Sequence, residues 1–163
     1  MKSDPVDQIL AQWRRERPDL DVSPMGIIGR VTRLAKHLEH AIQEIFSGFG
    51  LTVGEFDVLA TLRRSGQPYQ LSPTELFNTL MVSSGTMTHR IDRLEQAELV
   101  QRIPDLSDRR GTQIKLTDKG FAIIEKAVEA HVVNEHRLLS ILETSEREAI
   151  TQLLRKLLVS FEE

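Results

Sequence analysis

Apolar residues recur at three- and four-residue intervals along almost the whole chain, so helix is the expected element nearly everywhere. Val6, Ile9, Leu10 and Trp13 give residues 5–16 one apolar face. Residues 17–24 interrupt that helix with two prolines and acidic turn residues. Ile28, Val31, Leu34, Leu38, Ile42 and Ile45 form the stripe of a second helix over 25–46, which the stretch from Gly48 to Gly50 ends. Three cap signals follow. Thr52 with Glu55 opens a helix to about Arg64, and Ser72 with Glu75 opens a short one that has Pro73 at its first position. Ser83 or Ser84 opens a third, reaching about Gln96. The period then changes. Leu99, Val100 and Ile103 read as a short strand, residues 104–112 as a turn-rich charged loop, and Gln113 to Leu116 as the returning strand. Thr117 opens a long helix to about Leu142, and Ser145 with Glu148 a last one carrying Ile150, Leu153, Leu154, Leu157 and Leu158.

The order predicts a mainly α fold with a small β-hairpin wing: a winged helix-turn-helix between N- and C-terminal dimerisation helices. Residues 1–50 are the N-terminal helices, for dimerisation and as the scaffold of a ligand site; 51–120 are the DNA-binding unit; 121–163 are the C-terminal dimerisation helices. The terminal stripes are longer than one winged unit can cover, so the leucines of the last helix are expected to be buried between two chains.

Composition narrows the chemistry. The 163 residues are 40% hydrophobic and 28% charged, ordinary proportions for a folded domain. A formal net charge of -3 does not announce a nucleic-acid binder, although a DNA footprint is a local matter. The absence of cysteine removes disulfides, thiolate metal sites and thiol redox sensing. No apolar run is long enough to span a bilayer, and the first residues lack a secretory layout, so a cytoplasmic protein with no membrane partner is expected.

In the helix from Ser83 to Gln96, Met87, Ile91 and Leu94 fall together and face the domain, while Thr86, His89 and Arg93 fall opposite. Hydroxyls, an imidazole and a guanidinium suit base edges and phosphates. Ser83 and Ser84 add backbone donors at the helix start, and Thr88 joins the set expected to touch double-stranded DNA. Arg109 and Arg110 at the hairpin tip suit the minor groove or a phosphate, with Asp108 placed to orient one of them.

From Leu71 to Gly120 the chain resembles the MarR family of bacterial regulators. The resemblance rests on SPTEL at 72–76, SSGTMTHRIDRL at 83–94, Asp105 and Asp108 ahead of Arg109 and Arg110, and Leu116, Thr117 and Gly120 after the hairpin. It implies a homodimer reading a pseudo-palindrome, with half-sites about 10 bp apart, and repression as the usual mode.

Four more residues ask for a role. Trp13 is the sole tryptophan, Asp57 interrupts an apolar helix, Arg90 faces a flank of its helix, and Arg102 lies at the base of the wing. One aromatic, one carboxylate and two guanidiniums suit a flat anion. All four positions resemble the ligand signature of the urate-responsive branch of the family, including the extra N-terminal helix that carries the tryptophan. The resemblance implies that urate or a similar planar anion is the effector and weakens DNA binding, with a phenolic acid or its coenzyme A ester as the alternative. No other cofactor is implied. Each residue also has a plainer role open to it: Trp13 as a packing anchor, Asp57 and Arg102 as an ion pair, Arg90 as a phosphate contact.

Other classes have less support. His37 with His40, and His131 with His136, lack third and fourth ligands nearby in sequence for a zinc site. No nucleophile elbow, phosphate-binding glycine loop or paired-histidine metalloprotease motif marks an enzyme. A helical interaction dimer without a DNA role is the remaining alternative, and the arginines of the hairpin argue against it.

Overall fold

The computed structural model describes residues 3–80, 84–105 and 111–162; for Ser84 the backbone is described and the side chain is not. The chain divides into two compact units, residues 1–42 and 43–163.

The first unit holds α1 (Pro5–Glu16) and most of α2 (Ser23–Ser47). Asp4 caps α1, accepting from the backbone of Val6 at 2.8 Å and of Asp7 at 3.0 Å, while Asp7 returns the bond to Asp4 N at 2.9 Å. Proline at the first helical position costs no hydrogen bond there. Arg30 of α2 donates to both capping carboxylates, at 2.8 Å to Asp4 and 2.6 Å to Asp7. The backbone bonds of the cap first, and Arg30 after them, hold both carboxyls below their ordinary range. Under this clasp Val6, Leu10 and Val22 are buried together. Ile27, Ile28, Val31 and Leu34 of α2 stay exposed, an apolar face left open in a single chain.

The second unit runs from the end of α2 through α3 (Val53–Arg64), β1 (Gln70–Leu71), α4 (Pro73–Leu80), α5 (Ser84–Gln96), β2 (Val100–Pro104), β3 (Thr112–Leu116), α6 (Asp118–Leu138) and α7 (Thr144–Glu162). Gly50, at φ +72°, supplies the left-handed residue that lets Leu51 N reach back to Phe46 O at 3.0 Å and stop α2. Two of the three expected capping boxes form. Thr52 and Glu55 exchange bonds at the start of α3, as do Ser72 and Glu75 ahead of α4. The core gathers Val58, Leu59 and Leu62 of α3, Leu76 of α4, Met87, Ile91 and Leu94 of α5, Ile114 of β3 and Ile124 of α6. Each such side chain contributes about 1.5–3 kcal/mol by leaving water. Gly120 lies so close to the Leu99 carbonyl that a Cβ there would overlap it, which brings α6 hard against the start of the hairpin.

The sheet is antiparallel with order β1-β3-β2, and Val100 to Pro104 pair with Leu116 to Thr112. Asp105 N to Gly111 O at 3.0 Å continues the hairpin below its tip. Three details differ from the sequence reading. β1 is a third strand that periodicity does not announce. α6 stops at Leu138 rather than near 142, in a turn where Leu139 N bonds Glu135 O at 3.0 Å. α7 starts at Thr144, and Glu143 N donates to Glu146 at 2.8 Å, so this reciprocal bond lies two residues ahead of the expected Ser145–Glu148 pair. All of α7 except Arg147 is exposed, including Ile150, Leu153, Leu154, Leu157, Leu158 and Phe161.

Candidate nucleic-acid interface

The candidate interface is built on α5. Its sequence places Met87, Ile91 and Leu94 one helical turn apart, and packing on α3 and α4 buries each to 2% exposure or less. The opposite surface follows from that docking. Thr86, Thr88, His89 and Arg93 are all exposed. The backbone of Ser84 begins the helix. Ser83, Asp108, Arg109 and Arg110 lie outside the described residues.

Two flanks border the outer face of α5, with opposite charge arrangements. On one, α5 offers arginines to α3. Arg93 Nε lies 2.7 Å from Glu55 Oε1; the Glu55 side chain is 5% exposed and that of Arg93 52%. Arg90 packs on Gly54, where even a Cβ would overlap its guanidinium. On the other flank, α5 offers carboxylates to the wing. Arg102 of β2 lies 2.5 Å from Asp92 Oδ1 and forms a second, closer ion pair with Glu95, whose carboxylate also accepts from Arg102 N at 3.2 Å. Asp92 first, and Glu95 after it, hold the Arg102 guanidinium above its ordinary value against the opposing effect of burial.

Of the expected effector residues, Asp57 and Arg90 lie within electrostatic reach of each other. Burial pushes the Asp57 carboxyl up, and Arg90, Arg64 and His131 pull against that shift. His131 stacks obliquely on Phe46 and Phe56, with ring centroids at 5.1 and 5.3 Å, and its Nδ1 is buried without a hydrogen-bond partner. Arg102 is engaged with Asp92 and Glu95. Trp13 belongs to the first unit and is exposed. Among the described residues, no group of three or more histidines and carboxylates could hold a metal ion. Nor is any helix among them long and apolar enough to cross a membrane.

Sequence reasoning missed Glu55 as more than a cap, missed Asp92, Glu95 and Arg64 altogether, and weighed His131 only as a metal ligand. A signal existed for two of them. The tight reversal after α5 carries Arg102 back past Glu95 and Asp92, so a count along helix and strand would have paired them. Glu55 with Arg93 gave no such signal, because their meeting depends on how α3 packs against α5.

Residues 51–112 match the model of the MarR family. The chain is 48% identical to the HTH-type transcriptional regulator PecS of Dickeya dadantii (strain 3937), over 91% of this chain and 90% of that protein. The solved structure of AbsC, a MarR family transcriptional regulator from Streptomyces coelicolor, shares the fold with a TM-score of 0.79 at 24% identity, over 88% of this chain and 97% of that one. A mutant MarR from E. coli, solved in complex with operator DNA, is similar with a TM-score of 0.72 at 27% identity, over 96% of this chain and 99% of that one.

Proposed function

The chain belongs to the MarR family of transcriptional regulators, and we propose that it binds a pseudo-palindromic duplex operator as a homodimer, with α5 in the major groove. The observation that carries this reading is the outer surface of α5: Thr86, Thr88 and His89 stand exposed opposite the buried Met87–Ile91–Leu94 stripe, beside a β-hairpin whose expected tip is basic. The operator complex of the related E. coli protein supports the same use of the fold. The open apolar face of α7 supports the homodimer, because leucines at 42–68% exposure are a poor surface for a lone chain. The relatives are named transcription regulators, and no enzymatic role is proposed.

The effector we propose is a small planar anion such as urate, answered by Asp57, Arg90 and Arg102, and the outcome of its binding is release from DNA and hence relief of repression. Asp57 supports this. A half-buried carboxylate within electrostatic reach of Arg90 is a charge arrangement that an anion can perturb, and Arg90 stands on α5 itself. The test is fluorescence anisotropy of labelled duplex from upstream of the protein's own gene, at fixed salt, with and without urate. Urate should raise the apparent Kd of the wild type and leave Arg90→Ala indifferent. Wild-type binding that ignores urate but yields to a phenolic acid would transfer the effector to that class. Binding that ignores both would leave a regulator without this switch.

A further inference from the structure

Glu55 occupies the third position of α3, and its two carboxylate oxygens serve different partners. Oε2 accepts from Thr52 N at 2.8 Å and from Thr52 Oγ1 at 2.9 Å, which completes the cap. Oε1 faces Arg93 Nε at 2.7 Å. A reciprocal cap needs only one oxygen and ordinarily stands in water. Here the carboxylate is almost entirely buried, and a charge withdrawn from water needs a counter-charge. Arg93 supplies it from α5 while its own side chain remains half exposed. An arginine gripped at Nε keeps its terminal N–H groups at the far end of a rigid planar fork.

We infer that Glu55 is a positioning residue for DNA recognition, holding Arg93 by its Nε so that the guanidinium reaches the duplex in one fixed orientation. The inference rests on the reading of α5 as the recognition helix. Fixing a long side chain in the free protein removes an entropy cost from the binding step. Thr86 lies on the same exposed side of α5, so Arg93 and Thr86 would meet neighbouring features of the DNA. Simple electrostatics argues the opposite for Glu55. A carboxylate near a polyanion repels it, so its neutralisation alone would tighten binding. The sign of the effect therefore separates support from repulsion.

The experiment measures affinity for duplex DNA from upstream of the protein's own gene, for wild type, Glu55→Gln, Arg93→Ala and the double variant, across a salt series, with a thermal melt of each. Arg93→Ala should weaken binding about ten-fold and flatten the salt dependence by about one unit of slope. Glu55→Gln should weaken binding about three- to five-fold in the wild type and less than about two-fold in the Arg93→Ala background. Its cost in melting temperature should persist in both backgrounds, as capping alone requires. Arg93→Lys provides a second reading that leaves Glu55 untouched. It keeps the charge but not the fork, and should lose most of what alanine loses. Tighter or unchanged binding by Glu55→Gln, equal weakening in both backgrounds, or full activity of Arg93→Lys would overturn the inference. So would an Arg93→Ala variant that binds as wild type does, although the regulator reading would survive that result. Absence of salt-dependent binding by the wild type would remove both.

Discussion

The two flanks of α5 hold the same helix by opposite means. Toward α3, the helix contributes arginines and receives carboxylate from a nearly buried Glu55. Toward the wing, it contributes Asp92 and Glu95 and receives the guanidinium of Arg102, all three between 33% and 47% exposed. The difference is one of solvent. A buried charge that loses its partner is costly, whereas exposed pairs are screened by water and salt and contribute little. The α3 flank is therefore the fixed side of α5. The wing flank is the side where α5 and β2 separate most easily.

That contrast predicts an order of effects. Glu55→Ala removes the cap of α3 and strands Arg93, and should destabilise the fold by about 2–4 kcal/mol in chemical denaturation, with little dependence on salt. Arg102→Ala should cost about 1 kcal/mol or less, and that cost should shrink as ionic strength rises. Equal costs for the two variants would erase the distinction between the flanks. The smallest effect is a gain. Burial raises the Asp57 carboxyl above its unfolded value, so the ionised folded state carries a penalty that is absent while both states are protonated. The stability tied to this group is present below the ordinary carboxylate range and is lost as pH rises through the raised value. Asp57→Asn should therefore lift the melting temperature slightly at pH 7 and leave it unchanged near pH 3. A fall at pH 7 would mean that Arg90, Arg64 and His131 outweigh burial.

The fold was legible where its signals are local. The boxes Thr52–Glu55 and Ser72–Glu75 announced α3 and α4 because each bond spans three residues. The outer face of α5 followed from helical geometry once Met87, Ile91 and Leu94 were assigned inward. Signals that depend on distant partners did not show. β1 is two residues long and exists because Lys115 and Ile114 of β3 are there to pair with it. The end of α6 was overrun because the apolar spacing continues through Leu139 and Leu142 although the helix stops at Leu138. In the site, Asp57 and Arg90 stand out by residue type, helical angle and family resemblance, and packing of α3 on α5 brings them within electrostatic reach. The same packing occupies Arg93 with Glu55, a partner that a reading of α5 in isolation does not supply beside the expected DNA contact. Arg102 reads from sequence as part of an anion clamp. Its engagement with Asp92 and Glu95 became visible only once the hairpin was folded back along α5.

Salt dependence of duplex affinity tests the central claim most directly. Labelled duplex from upstream of the protein's own gene, titrated with wild-type protein between about 50 and 200 mM salt, should give a log affinity that falls linearly and steeply with log salt, as displaced counterions require when several phosphates are contacted. It should also bind more tightly than an unrelated duplex of equal length at every point. Affinity that is absent, or indifferent to salt, for both duplexes would contradict the account and leave a helical dimer with no business on DNA.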